Sequence, residues 1–271
     1  MSEYVGRKAV ITGAASGLGR LLARKIAAEG AHVILWDVNA EGLAGVEREL
    51  VAQGRAVSTY VCNLADRHAI EAVAARTLAE CGPVDILVNN AGIVTGKSLL
   101  EASPEAIERT FAVNVLALFW STRAFLPGML QRDRGHIVTI ASAAGLVGTA
   151  KMTDYAASKH AAVGFDESLR LELKRQGSRV VTTVVCPFYI NTGMFEGVKT
   201  RFPLLLPILD PERVTDRIVR AIRRNQRRVV LPWVIRTIWF GRLFPTFLFD
   251  AVTDFLGVNR SMDEFSGRAG K

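Results

Sequence analysis

The stretch KAVITGAASGLG at residues 8–19 decides the fold. A short β-branched and aliphatic run passes directly into a glycine-rich turn, and a helical pattern follows at about 17–29. Gly13, Gly17 and Gly19 permit a tight turn, a close approach of backbone to a pyrophosphate, and close packing of helix on strand, with phosphate charge met by the helix N-terminus. Ser16 and Leu18 complete this loop. Three glycines alone also describe an ordinary βα turn, so the following strand matters. HVILWD ends in Asp37, roughly the 20 residues downstream at which a carboxylate accepts from an adenosine ribose. A 2′-phosphate there would be repelled, and Ser16, Val38 and Asn39 bring no cation. The expected cofactor is NAD, with NADP bound poorly; the alternative role for Asp37 is a turn or helix cap.

The alternation continues along the chain. KAVIT, HVILW, AVSTYV, DILVN, HIVTIA, RVVTTVV and RRVVLP read as seven strands, separated by helical patterns at about 17–29, 41–53, 66–80, 104–131, 154–176 and 211–224. Alternating strands and helices build right-handed βαβ units, so the expected architecture is α/β: a single-domain, Rossmann-like, doubly wound sheet of seven parallel strands with helices on both faces. DILVN and HIVTIA are nearly continuous apolar runs, as strands buried on both faces are. The last of these helices carries its own punctuation, with Asp210 as N-cap, Pro211 at the first position, and Val214, Ile218 and Ile222 on one stripe. NNAG at 89–92 contains common turn residues, but after DILV in a parallel sheet it falls at the ligand-facing edge, so Asn90, Ala91 and Gly92 are expected against the cofactor.

Composition excludes other classes. The 271 residues are 49% hydrophobic and 22% charged, without low-complexity tracts, and the length suits one domain. Cys62, Cys81 and Cys186 form no CxxC pair and are odd in number, which argues against a disulfide framework or zinc site and fits a reducing compartment. The four histidines make no metal motif, and no metal is expected. The opening MSEYVGRKAVITG lacks the pattern of a secretory signal, so a cytoplasmic location is expected. The net charge of +8 is local: residues 199–242 hold eleven basic residues against Asp210, Glu212 and Asp216. Their aliphatic and aromatic neighbours suit a membrane-surface segment better than a nucleic-acid stripe, and no nucleic-acid partner is expected.

In DYAASKHAAVGF, residues 154–165, Tyr155 and Lys159 stand four apart, on one face of a helix. Oxidising an alcohol with a nicotinamide requires a base at the hydroxyl as hydride leaves. A phenol of pKa about 10 needs a depression of roughly 2 to 3 units, or about 3 to 4 kcal/mol of phenolate stabilisation, to work near neutral pH. Lys159 and a positive nicotinamide ring together could supply it. Ser142, ending HIVTIAS, falls where open α/β sheets bind ligands and can orient the substrate oxygen. Taken singly, the Tyr–Lys pair is an exposed helix pair, Ser142 a cap, and the Asn of FAVNVLAL a backbone binder.

In this order the motifs resemble the short-chain dehydrogenase/reductase family, from about Lys8 to Pro232. TGAASGLG is similar to its phosphate loop and NNAG to its adenine-side motif. Asn114, Ser142, Tyr155 and Lys159 fall at its catalytic tetrad, which implies that Asn114 holds a water relaying the proton through Lys159. PFYINT (187–192) is similar to the family's nicotinamide-proximal turn: Pro187 ends the strand, Ile190 follows, and Thr192 meets the carboxamide or phosphates. Asn63, with Leu64 beside it, replaces the usual Asp at the adenine; an amide still bonds the ring.

Beyond Thr192 an insertion at about 193–210 is expected to cover the cleft, with Met194, Phe195, Phe202 and Leu204 to Leu206 lining an apolar chamber. FYINTGMFEG and FLGVNRSMDEFSGR look like the branch of epidermal and microsomal retinol dehydrogenases and lipid-droplet 17-beta-hydroxysteroid dehydrogenases. That branch implies a retinoid- or steroid-like alcohol, or its carbonyl, as substrate. It usually begins with a hydrophobic anchor; here the candidate is the aromatic-rich segment at about 232–257, which Arg236, Arg242 and Asp250 interrupt too often for a span. It is expected to lie on a membrane or lipid droplet, or to form a subunit interface in a homodimer or homotetramer. The competing function is a surface scaffold that binds NAD with little turnover.

Overall fold

All seven apolar runs become parallel strands: β1 (Lys8–Thr12), β2 (His32–Asp37), β3 (Val57–Val61), β4 (Ile86–Asn89), β5 (His136–Ile140), β6 (Val181–Pro187) and β7 (Arg228–Leu231). They pair in the order β3-β2-β1-β4-β5-β6-β7, and this computed structural model describes residues 4–267. Successive side chains leave a strand on opposite faces. On one face Ile11, Val33, Leu35 and Val185 meet Leu22 and Ile26 of α1 (Gly17–Ala28), Leu43 and Leu50 of α2 (Ala40–Ala52), and Ile218 and Ile222 of α7 (Pro211–Arg223). On the other, Val10, Ile34, Trp36 and Ile137 meet Ile70 of α3 (Arg67–Cys81), Phe125 and Met129 of α5 (Ala117–Gln131), and Leu169 and Leu173 of α6 (Thr153–Arg175). Each fully buried large aliphatic contributes about 1.5–3 kcal/mol, so the fully buried β5 is well anchored. Both faces are covered, and the sheet is doubly wound.

The chain order reverses between β1 and β4, and such a switch point opens a crevice at the carboxyl ends of the strands. Local signals set the elements around it. Asp210 caps α7 by accepting from Arg213 N at 2.8 Å with Pro211 in the first turn, and Ser103 caps α4 (Pro104–Phe111) through Ala106 N. The helical pattern at 104–131 is not uniform: a π-helical turn, Ala112–Leu116, joins α4 to α5 and carries Asn114. π-turns inside α-helices concentrate at functional sites. Helix periodicity does not reveal one, because the apolar face is preserved on either side. Pro104–Gln131 is long and apolar enough to span a bilayer, yet Phe125 and Met129 seat it on the sheet as a core helix.

Beyond β6 the backbone is irregular through 193–208, with one parallel bridge from Ile190 to Leu209. After β7 come a 3-10 turn (Trp233–Thr237), α8 (Ile238–Gly241) and α9 (Thr246–Phe255). Met1–Glu3 of the opening stretch and Arg268 of the tail motif lie outside the described residues.

Candidate active site

The crevice at the switch point is an elongated cleft of about 290 Å³. Its phosphate end is built from backbone. A Cβ on Gly13, which has φ +67°, would stand 2.9 Å from Ala91 Cα, and one on Gly19 would stand 2.1 Å from Gly13 O and 2.6 Å from Asn90 Nδ2. Gly19 therefore lets helix and strand close together and does not itself line the cleft; Gly13, Ser16, Gly17 and Leu18 do. Asn90 Nδ2 donates to Thr12 O at 2.9 Å and Gly13 O at 3.2 Å, while Thr12 Oγ1 accepts from Asn90 N and Ala91 N. NNAG thus ties β4 to β1 directly beneath the phosphate loop. Thr12 was not singled out in the sequence; its place immediately before the glycine loop was the available signal.

Asp37, Asn63 and Leu64, expected against the adenosine, line the cleft as well. The Asp37 carboxylate accepts from Ala15 N and Asn39 N, each at 3.0 Å. It therefore serves as a turn residue and still faces the crevice, so the two readings of Asp37 are compatible. Val113 and Arg109, four residues apart, also line the cleft, and no motif in the sequence points to either.

The turn after β5 delivers Ser142, the first turns of α6 deliver Tyr155 and Lys159, the end of β6 brings Pro187, and the turn after it brings Ile190 and Thr192. Lys159 is buried; Nζ donates to Ile140 O at 2.8 Å and lies 5.6 Å from the centroid of the Tyr155 ring. Burial pulls this ammonium down to about 8. Burial likewise pushes the Tyr155 phenol well above its ordinary value, and contact with the Ser142 hydroxyl offsets this only in part. A phenolate at neutral pH thus needs positive charge beyond what the chain's own residues place beside it. Ser142 Oγ accepts from Ala144 N at 3.1 Å.

Asn114 is fully buried and does not line the cleft. Its Nδ2 donates to Ile93 O at 2.9 Å and Ser158 Oγ at 3.0 Å, and its Oδ1 accepts from Ile93 N at 2.8 Å. Both amide protons are committed, leaving only a second lone pair on Oδ1 for a relay water. A Cβ on Gly92 would stand 3.3 Å from Lys159 Nζ and 3.4 Å from Asn114 Oδ1, so these three groups meet around bare backbone.

A glycine cradle at a helix N-terminus, an acidic strand end and a Ser–Tyr–Lys cluster thus share one cleft. A family profile described as short chain dehydrogenase matches residues 7–201. The chain belongs to the short-chain dehydrogenase family. Among curated members it is 44% identical over 269 residues to the Bos taurus protein named short-chain dehydrogenase/reductase family 16C member 6, covering 98% of this chain and 85% of that one. It is 43% identical over 268 residues to Homo sapiens epidermal retinol dehydrogenase 2, covering 97% and 86%. Among solved structures, a short-chain dehydrogenase from Burkholderia phymatum in complex with NAD superposes with a TM-score of 0.81 at 31% identity, covering 90% of this chain and 95% of that one.

Beside the cleft lies a second, apolar cavity of about 80 Å³. Its lining includes Met152, Tyr189, Phe195, Leu205, Leu206 and Ile235. Phe195 also faces the dinucleotide cleft, Met194 lines that cleft and not the apolar cavity, and Phe202 lines neither. Phe202 packs against Phe255 at 5.5 Å, under the Arg201 guanidinium, and Leu204 points fully into solvent. The expectation that Met194, Phe202 and Leu204 line the apolar chamber is corrected. Apolar character told that the insertion buries side chains, but an irregular loop has no period to say which ones.

Proposed function

We propose that this protein is an NAD-dependent dehydrogenase that interconverts a hydrophobic alcohol and its aldehyde or ketone. One observation carries the reading: Ser142, Phe188 and Phe195 form a wall common to the dinucleotide cleft and the apolar cavity, with Tyr155 beside them. The glycine cradle fits a pyrophosphate, since any Cβ at Gly13 would crowd Ala91. Asp37 fits an unphosphorylated ribose. NAD, when bound, would supply a hydride acceptor and positive charge on its ring. Ser142 Oγ orients the substrate oxygen, Tyr155 Oη takes the hydroxyl proton as the carbon gives up hydride, and Lys159, held by Ile140 O, stabilises the phenolate. Asn114 keeps the loop at Ile93 in place and offers Oδ1 to the relay. Relatives named as retinol dehydrogenases support a retinoid-like substrate, and the steroid-like alternative rests on the tail motif alone.

The test is Tyr155→Phe, with NADH appearance followed for retinol, a 17-hydroxysteroid and a plain aliphatic alcohol. Turnover should fall by at least about 10³-fold, with NADH binding retained. Unchanged turnover would sink the reading, and a wild type silent toward every alcohol would favour the scaffold.

A second observation concerns location. Trp233, Phe240, Leu243, Phe244 and Phe247 are more than half exposed, next to exposed Arg236 and Arg242. This mixture supports contact with a lipid surface, the alternative being a subunit interface. Co-flotation with anionic vesicles supports the first; a dimer that keeps these residues covered and fails to float supports the second.

A further inference from the structure

Phe195 shares with Ser142 and Phe188 the partition between the two cavities, and what holds its ring comes from far along the chain. Its ring meets Tyr155 edge-on at 5.7 Å and Tyr189 at 5.1 Å, and behind it stands Phe265 at 6.4 Å. Residues 258–267 run back from α9 and are tied to the segment 193–199. Lys199 N donates to Ser261 O, Ser266 N donates to Glu196 O at 3.0 Å, and Ser261 Oγ shares a 2.8 Å hydrogen bond with the buried Tyr189 hydroxyl. A Cβ on Gly197 would stand 2.0 Å from Glu264 O, so the two segments touch backbone to backbone. On its far side the Phe265 ring fills the space above Gly96, where a Cβ would stand 2.0 Å from it. Phe265 is therefore wedged between the loop after β4 and Phe195. Met262, buried in the same cluster as Tyr155, Tyr189 and Phe195, anchors the segment.

We infer that Phe265 is a specificity-determining residue, which, by backing Phe195, sets the room available at the carbinol carbon beside Tyr155 and Ser142. The inference rests on the dehydrogenase reading above. The cavity beyond the partition is small, about 80 Å³, so the room for a second substituent at the carbinol carbon depends on where Phe195 sits. A primary alcohol presents hydrogen on its other side and fits against Phe195. A secondary alcohol with two bulky substituents requires Phe195 to retreat into the space Phe265 occupies.

The test uses the full chain with NAD and two probes, 1-dodecanol and dicyclohexylmethanol. Wild type should prefer the primary alcohol, and Phe265→Ala should lower the primary-to-secondary ratio of kcat/KM by about 10-fold or more, the scale of discrimination by hydrophobic pocket volume. Phe265→Leu should keep the ratio within about 3-fold. Tryptic cleavage after Lys199 and Arg201 should be faster in Phe265→Ala, a readout that needs no activity; Phe265→Val replaces it should the alanine variant not fold. Equal losses on both alcohols, or an unchanged ratio in an active wild type, would overturn the inference alone. A wild type active on retinol but inert to both probes would overturn this inference alone, and one inert to retinol as well would overturn the dehydrogenase reading with it.

Discussion

The two halves of the cleft are made of different material. The dinucleotide half is backbone at strand ends: glycines with no room for a methyl group, and the amide of Asn90 bonded to Thr12 O and Gly13 O. The apolar half is side chain on loops and short helices, with Phe195, Leu205, Leu206 and Ile235 around a small cavity and Trp233 and Phe240 exposed nearby. Backbone geometry tolerates almost no change, whereas a wall of packed side chains is re-shaped by one substitution. A common cofactor and a variable substrate match that division.

The sharpest way to break the first half is Gly19→Val. The new Cβ would fall 2.1 Å from Gly13 O, so the phosphate loop must part from its helix. NADH affinity, measured by fluorescence titration, should drop by about 100-fold or more, equivalent to about 2.7 kcal/mol. Retained affinity would show that the loop is not the phosphate site. Asp37→Ser should act more mildly. It removes the repulsion of a 2′-phosphate and also the acceptor for Ala15 N, so the NAD-to-NADP preference in kcat/KM should fall by about 10-fold through losses with NAD as well as gains with NADP. An unchanged preference would assign Asp37 to the turn alone.

The same division explains what could be read from the chain before its structure. Sheet, helices and dinucleotide half announce themselves because backbone requirements leave fixed residue types at fixed spacings: glycines after β1, Asp37 ending β2, Tyr155 and Lys159 one turn apart. Their neighbours Ser142 and Thr192 were legible by order along the chain. What stayed hidden depends on packing between distant segments. Nothing in the sequence says that Phe265 backs Phe195, that Phe202 turns away toward Phe255, or that the helix at 104–131 takes a π-turn at Asn114. The direction of the Tyr155 pKa was hidden too, since pairing with Lys159 is visible in spacing but the cost of burying both is not.

The helix that carries Tyr155 and Lys159 also buries a carboxyl whose charge depends on pH. Asp166 on α6 is almost fully buried, bonded to Thr182 at 3.3 Å, with Oδ1 lacking a described partner. Burial pushes its carboxyl up to about 7. A folded-state value above the unfolded one means that its protonated form stabilises the fold at low pH, and that this contribution is lost as pH rises through about 7. Asp166→Asn should therefore raise Tm by roughly 4 °C or more at pH 8.5, with the gap closing near pH 4. The buried His136, held neutral down to about 4, loses stability in the opposite direction as pH falls, but equally in both proteins. A constant gap across pH would remove Asp166 from the account.

The smallest effect belongs to Phe202→Ala, and it tests the boundary of the apolar half. Phe202 stacks on Phe255 beneath Arg201, outside both cavities, so its removal should lower stability modestly. Turnover of 1-dodecanol should stay within about 2-fold of wild type, because a substitution that leaves the pocket contacts in place leaves transition-state binding in place. Leu206→Ala, by contrast, opens the cavity wall from a residue only 5% exposed, and should change KM for long alcohols while costing about 2–5 kcal/mol of stability. Should Phe202→Ala change kcat/KM as much as Leu206→Ala does, the aromatic pair with Phe255 would have to be counted inside the substrate wall. The partition at Phe195 would then be one part of a longer apolar path running out toward α9.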